Sequence, residues 1–224
     1  MNAWVWLIDK IDSAQLKTKL FVSRRMLAHL GKDVYIHPTV KFSRPEKIYI
    51  ADECKLYRGA ILNARSSYEI GIRLGRGVKI HEYSYVDPYG GYIYLDDYAG
   101  IGHHCIIGGH GGLTVGKYTM ISGLTYIVPA NHMFERPDVP YMLQGETRKG
   151  IIIGDNVWIG AGSVILDGVS IGNNVVIGAG AVVSENIPAN TLALGVPARV
   201  VRRLSTSTEQ KAKGSVQLEM NHSN

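Results

Sequence analysis

The sequence predicts an all-β solenoid, on the strength of a strict short repeat, a looser one upstream of it, and composition. From Ile153 to Pro188 the chain reads in sixes as IGDNVW, IGAGSV, ILDGVS, IGNNVV, IGAGAV and VSENIP. Aliphatic residues open each six at Ile153, Ile159, Ile165, Ile171, Ile177 and Val183, and Val157, Ser163, Val169, Val175, Ala181 and Ile187 take the fifth places. A period of six is neither the roughly 3.6 of a helix nor the alternation of a lone strand, and a fixed short repeat marks a solenoid. Composition agrees: 26 glycines and 13 tyrosines in 224 residues, with 46% apolar residues, favour a strand-rich globular chain.

Each six supplies a short strand and a turn. The first residue points inward onto its equivalents in neighbouring coils, and a small fifth residue fits the crowded interior beside it. Gly154, Gly160, Gly162, Asn173, Asn174, Gly178 and Gly180 suit turns with positive φ. Three sixes make a triangular coil that buries its faces only by stacking on another.

Charge and cysteine content narrow the class. Of the formal charge of +5, residues 1–32 carry +4, through Lys10, Lys17, Lys19, Arg24, Arg25 and Lys32 against Asp9 and Asp12. No apolar run reaches the roughly 20 residues that span a bilayer, and nucleic acid is not an expected partner. Cys54 and Cys105 both fall on fifth places of the upstream repeat, which predicts buried, inert thiols. With no signal peptide, the expected location is the cytoplasm, with the inner face of the membrane as a variant of it.

Three segments are expected. Residues 1–33 form a helical segment, helical from 2 to about 31, which either caps the solenoid or lays Trp4 and Trp6 on an anionic membrane surface. Residues 34–204 form the solenoid. Its first phase runs through Ile36, Ile50, Leu56, Leu62, Tyr68, Leu74, Ile80 and Val86, with Cys54, Ala60, Ser66, Val78 and Ser84 in the small places. A second register (Leu95, Ile101, Ile107, with Ala99, Cys105 and Gly111 in the small places) and a third (Val115, Ile121, Ile127, with Thr119 and Thr125) imply outward bulges near Pro88–Tyr94 and Gly108–Leu113. The loop 128–150 has no repeat phase and exceeds ordinary connection lengths, which marks it as functional or disordered, and its apolar residues imply that it packs somewhere. Residues 205–224 form a polar tail expected to be mostly disordered.

The six-residue repeats, the loop opening Asn131-His132-Met133-Phe134, the return Lys149-Gly150-Ile151-Ile152-Ile153-Gly154 and the ending Gly195-Val196-Pro197-Ala198-Arg199 together resemble the hexapeptide-repeat acyltransferases. Within these the chain is similar to the sugar O-acetyltransferases of galactosides, maltose and bacterial surface polysaccharides. The resemblance implies a left-handed parallel β-helix, a homotrimer with acetyl-CoA bound between subunits, and no metal.

Activity and site residues follow from that resemblance. His132 is implied as the general base, a task for which imidazole suits neutral pH. His104, His110, Asn131 and Trp158 are implied at the acceptor, although His104 and His110 replace an Asn and an acid common in the family. Gly160, Ala161, Ala179, Ser184, Arg199 and Arg202 are implied at the donor, where Arg would meet phosphate, and Glu185 departs from a frequent Lys. A backbone N–H near Gly160 or Ala161 would hold the oxyanion. The expected function is direct O-acetylation of a sugar or polysaccharide hydroxyl. The alternatives are N-acetylation of a nucleotide-linked amino sugar, O-acetylation of a small non-sugar acceptor such as serine, and a non-catalytic scaffold.

Overall fold

The computed structural model describes residues 3–205, with side chains from residue 14 onward. Trp4, Trp6 and all but the first residue of the predicted tail therefore lie outside the described side chains or residues. Three parallel sheets wind together, and each coil adds one strand to each. The first coil supplies His29–Leu30, Tyr35–Ile36 and Lys41–Ser43, and the second supplies Ile48–Ile50, Lys55–Leu56 and Ile61–Asn63. Register stacks Leu30 on Ile50, Ile36 on Leu56 and Phe42 on Leu62. The last full coil is Ser170–Ile171, Val176–Ile177 and Val182–Val183, after which Thr191–Leu194 begins another on the second sheet.

The predicted inward residues build the core. Every first-place and fifth-place residue from Ile153 to Ile187 is buried, as are those of the second register through Cys105 and of the third. Both cysteines are buried and free, and burial pushes the Cys54 thiol up to about 11. One six departs from expectation. Tyr68 is exposed and Ser66 half-buried, because residues 64–71 bulge outward between the strands Ile61–Asn63 and Ile72–Leu74.

Two corners of the triangle are invariant. Four residues separate the first-sheet and second-sheet strands in all seven coils, and four separate the second from the third. The first corner places one residue per coil in the left-handed region: Asp33, Glu53, Gly77, Tyr98, Tyr118, Asn156 and Asn174. At the second corner Gly59, Tyr83, His104, Leu124, Gly162 and Gly180 do so. Of the turn residues read from the sequence, Asn173 is not among these, and neither are three glycines, Gly154, Gly160 and Gly178. The glycines answer to close approach instead: a Cβ on Gly160 would sit 2.5 Å from the backbone N of Ala179.

Side-chain amides and carboxylates knit the first corner from coil to coil. Asp52 Oδ1 accepts from Lys32 N at 2.7 Å, Asp155 Oδ1 from Lys117 N at 2.8 Å, and Asn173 Oδ1 from Asp155 N at 2.9 Å. Asn156 Nδ2 donates to Asn174 Oδ1, and Asn174 Nδ2 to Asn190 Oδ1, both at 2.9 Å.

The helix is shorter than its sequence pattern suggests, spanning Ala3–Met26. His29–Leu30 is already a strand, paired with Tyr49–Ile50, because the edge of the solenoid offers a ladder that outweighs local helix propensity. The C-terminal half of the helix lies on the first coil, with Ser23 and Leu27 buried and Lys19 Nζ donating to Val40 O at 2.6 Å. At the opposite end Arg199–Arg203 turns back and pairs antiparallel with Thr191–Leu194. No described helix is long and apolar enough to cross a membrane.

Candidate functional site

The third corner, between third-sheet and first-sheet strands, takes every insertion. It spans 44–47 in the first coil, 64–71 in the second, 88–92 in the third, 109–112 in the fourth and 128–150 in the fifth. The longest of these is a hairpin in which His132 faces Glu146 and Asn131 faces Thr147 across two antiparallel strands. Gln144 staples its tip, donating to Arg136 O at 2.7 Å and Val139 O at 2.8 Å. Asp167 clamps the returning leg: Oδ1 accepts from Lys149 N at 2.9 Å and Gly150 N at 3.1 Å, and Oδ2 receives the Thr147 hydroxyl at 2.8 Å. The hairpin's base crosses Gly111, where a Cβ would stand 2.5 Å from Arg148 O, so only glycine lets the strands pass.

Among the described residues the tip packs on nothing. Phe134, Tyr141, Met142 and Leu143 are exposed, Met142 at 81%. The expectation that the loop packs somewhere therefore finds no cover for it among the described residues, and the staple holds its tip together.

His132 stands exposed with Nε2 3.9 Å from Glu146 Oε1, while Glu146 Oε2 receives Arg148 at 3.0 Å. Two cavities meet at this imidazole. One, of about 310 Å³, is lined by Tyr89, Ile106, His110, Tyr126, Asn131 and Glu146 as well as His132. The other, of about 360 Å³, runs from His132 past Met133, Phe134, Lys149 and Asp167 to Ser184.

The first cavity contains an aromatic pair, Tyr89 and His110, stacked 4.4 Å apart at 13°. Burial holds the His110 pKa below its usual value, outweighing the pull of Glu146, and Nδ1 is buried without a partner. Behind Tyr89 lies the wholly buried Asp87. Its Oδ2 receives Asn63 at 2.7 Å, Arg65 at 2.7 Å and the Tyr85 hydroxyl at 2.8 Å, and its Oδ1 accepts from Tyr89 N at 2.9 Å. These bonds fix the backbone beneath the stacked rings.

The sequence-derived residues divide between corners. Asn131, His110 and Ser184 line cavities shared with His132. His104 lies at the second corner, stacked on Tyr83 at 5.2 Å, and Gly160, Ala161 and Ala179 follow at the same corner in later coils. Trp158 projects from the second sheet, opposite the hairpin, and donates from Nε1 to Ser122 Oγ at 3.1 Å. Arg199 pairs with Glu185 at 3.1 Å, and Arg202 is exposed on the closing strand.

One expected role is corrected. The Gly160 N–H is committed to Ile177 O at 2.8 Å in the coil ladder, so of the two glycine-alanine donors only Ala161 N–H is left among the ladder bonds described. Sequence inspection did not single out Tyr89, Glu146 or Asp167. The bulge at Pro88–Tyr94 pointed toward Tyr89, whereas Glu146 and Asp167 meet the hairpin only through folding.

The family of bacterial transferase hexapeptide proteins (six repeats) matches residues 150–185. Nodulation protein L of Rhizobium meliloti is 35% identical over 153 residues, covering 65% of this chain and 81% of that protein. The chain belongs to the hexapeptide-repeat acyltransferases. A further relative of this hexapeptide-repeat enzyme is Escherichia coli K12 WbbJ, named for O-acetyl transfer in lipopolysaccharide biosynthesis. It is 30% identical over 132 residues, or 55% of this chain and 67% of WbbJ. Among solved structures, the N-acyltransferase AntD of Bacillus cereus, in complex with dTDP and 3-hydroxybutyryl-CoA, shares the fold. Its TM-score is 0.63 at 20% identity, covering 92% of this chain and 98% of AntD.

Proposed function

We propose that this acyltransferase moves an acetyl group from acetyl-CoA directly to a sugar or polysaccharide hydroxyl, with His132 as general base. The observation that carries the reading is the position of the His132 imidazole at the junction of two cavities, 3.9 Å from the Glu146 carboxylate. One cavity would take the acceptor, the other the thioester arm. The imidazole accepts the hydroxyl proton as the oxygen bonds to the thioester carbonyl carbon. The tetrahedral oxyanion then collapses, the C–S bond breaks, and the imidazolium returns its proton to the departing thiolate. Glu146 stabilises the transient imidazolium, and no acyl-enzyme is formed. The likeness to WbbJ supports a saccharide hydroxyl as acceptor.

The same geometry supports a homotrimer. His132, His110 and Ser184 sit at the third corner, and His104, Ala161 and Ala179 at the second. In the proposed trimer the third corner of one copy lies against the second corner of the next, so the Ala161 N–H reaches the oxyanion from a neighbour. The exposed Phe134, Met142 and Leu143 then find cover, as an apolar patch of this kind calls for. Arg199 and Arg202 would meet the CoA phosphates once Arg199 exchanges Glu185 for phosphate.

The test is thiol release from acetyl-CoA with a panel of sugar hydroxyl, amino-sugar nucleotide and small hydroxyl acceptors. Turnover confined to the amino sugar would replace O-transfer by N-transfer. Absence of acetyl-CoA binding by calorimetry would favour a scaffold. Mass by light scattering decides the trimer.

A further inference from the structure

A second group of chemistry-bearing side chains lies at the second corner, apart from the hairpin. His81 and Glu82 occupy this corner in the third coil and His103 in the fourth. Ladder bonds fix their backbones: His81 N donates to Ile101 O, His104 N to Glu82 O, and Leu124 N to His103 O, each at 2.9 Å. The His81 ring is stacked on Tyr57 at 4.7 Å and lies 5.0 Å from the His103 ring. One potential ligand atom from each of the three residues falls within 4.8 Å of the other two.

Glu82 Oε2 is the centre of the group, with His103 Nδ1 at 2.8 Å and His81 Nδ1 at 3.5 Å. This oxygen is buried, and neither ring nitrogen makes a well-aligned hydrogen bond to it, although both stand close. Nitrogens that crowd a carboxylate oxygen without pointing at it are arranged as ligands around a common centre are. Zinc bonds of about 2.0–2.1 Å in a tetrahedron set neighbouring ligand atoms about 3.3 Å apart, between the two observed separations.

We propose that His81, Glu82 and His103 bind a divalent transition cation, Zn²⁺ foremost, with the fourth position left to water. Two imidazoles and one carboxylate are a donor set for zinc and its neighbours, whereas Mg²⁺ and Ca²⁺ call for oxygen ligands. Because the ligands come from two successive coils, the ion ties the third coil to the fourth. Within one chain it lies apart from the hairpin and His132.

The full chain, freed of metal with EDTA and dialysed, is titrated with ZnCl₂ by calorimetry and followed by thermal unfolding. One Zn²⁺ per chain and a raised Tm are expected. Glu82→Gln and His103→Ala, checked for fold by circular dichroism, should each weaken binding at least about tenfold. Co²⁺ should give visible d–d bands that His103→Ala abolishes, and His104→Ala, altering the adjacent corner histidine, should bind as the parent does. Absence of zinc binding, undiminished affinity in both ligand variants, equal loss in His104→Ala, or Mg²⁺ binding as tight as Zn²⁺ would each overturn the assignment.

Discussion

The first two corners of the coil and the third are built under opposite constraints. At the first two, nearly every coil turns on a left-handed residue, and at several glycines the backbone of the next coil would meet an added Cβ. At Gly102, for instance, that Cβ would stand 2.5 Å from Gly123 N. No residue can be inserted there without breaking the stack. At the third corner such approach is local, as at Gly91 and Gly111, and the connections vary in length from 44–47 up to 128–150. The rigid corners hold register, and the free one accumulates the cavities and His132.

The comparison breaks most readily at His132. Replacement by Ala should lower turnover by about 10²- to 10⁴-fold while circular dichroism and Tm stay at parent values, because the hairpin is held by Asp167 and Gln144 and not by the imidazole. A variant that folds, binds CoA and turns over normally would remove the base from the third corner.

At the rigid corners the expected damage is to stability. Gly102→Ala should cost about 2–3 kcal/mol in denaturant unfolding, since backbone and not a flexible side chain stands in the way. Gly100→Ala, two residues earlier with nothing within 4 Å of its Cβ, should be neutral or gain about 0.5 kcal/mol. Equal effects at the two glycines would contradict the close-approach argument. Asn174→Ala loses both a residue suited to the left-handed turn and the hydrogen bonds to Asn156 and Asn190, and about 1–2 kcal/mol is expected.

The smallest expected effect is a slope. Burial lowers the pKa of His110 from 6.5, so below that value the unfolded chain takes up a proton that the folded chain resists. Its contribution to stability is therefore present above the ordinary histidine pKa and is lost as pH falls from there through the folded value. His110→Phe, which keeps a ring against Tyr89, should flatten the dependence of Tm on pH between about 7 and about 5. An unchanged slope would show that His110 titrates as an exposed residue does.

Legibility followed the same division. The inward residues of the sixes could be read because a parallel coil leaves no choice about which residue faces the axis. The failures, at Ser66, Tyr68 and Gly111, fell at the third corner, where phase continues by coincidence while the chain leaves the stack. His132 was legible from the motif around it. Its partner Glu146 was not, since pairing across a hairpin tip has no signature in residue spacing. His81, Glu82 and His103 stayed hidden for another reason: each looks like an isolated corner residue until coils of unequal length are stacked.

The reversal of the chain at Gly195 has a consequence for the molecule as a whole. A solenoid is a template for its own extension, since the last coil presents unpaired N–H and C=O groups to whatever strand arrives next. Here the second sheet ends in the antiparallel strand Arg199–Arg203, whose sequence RVVRR sets three arginines along the outermost edge. A second molecule adding end to end would bring like charges together at that edge. The strand that finishes the fold thereby also keeps one chain from polymerising onto another.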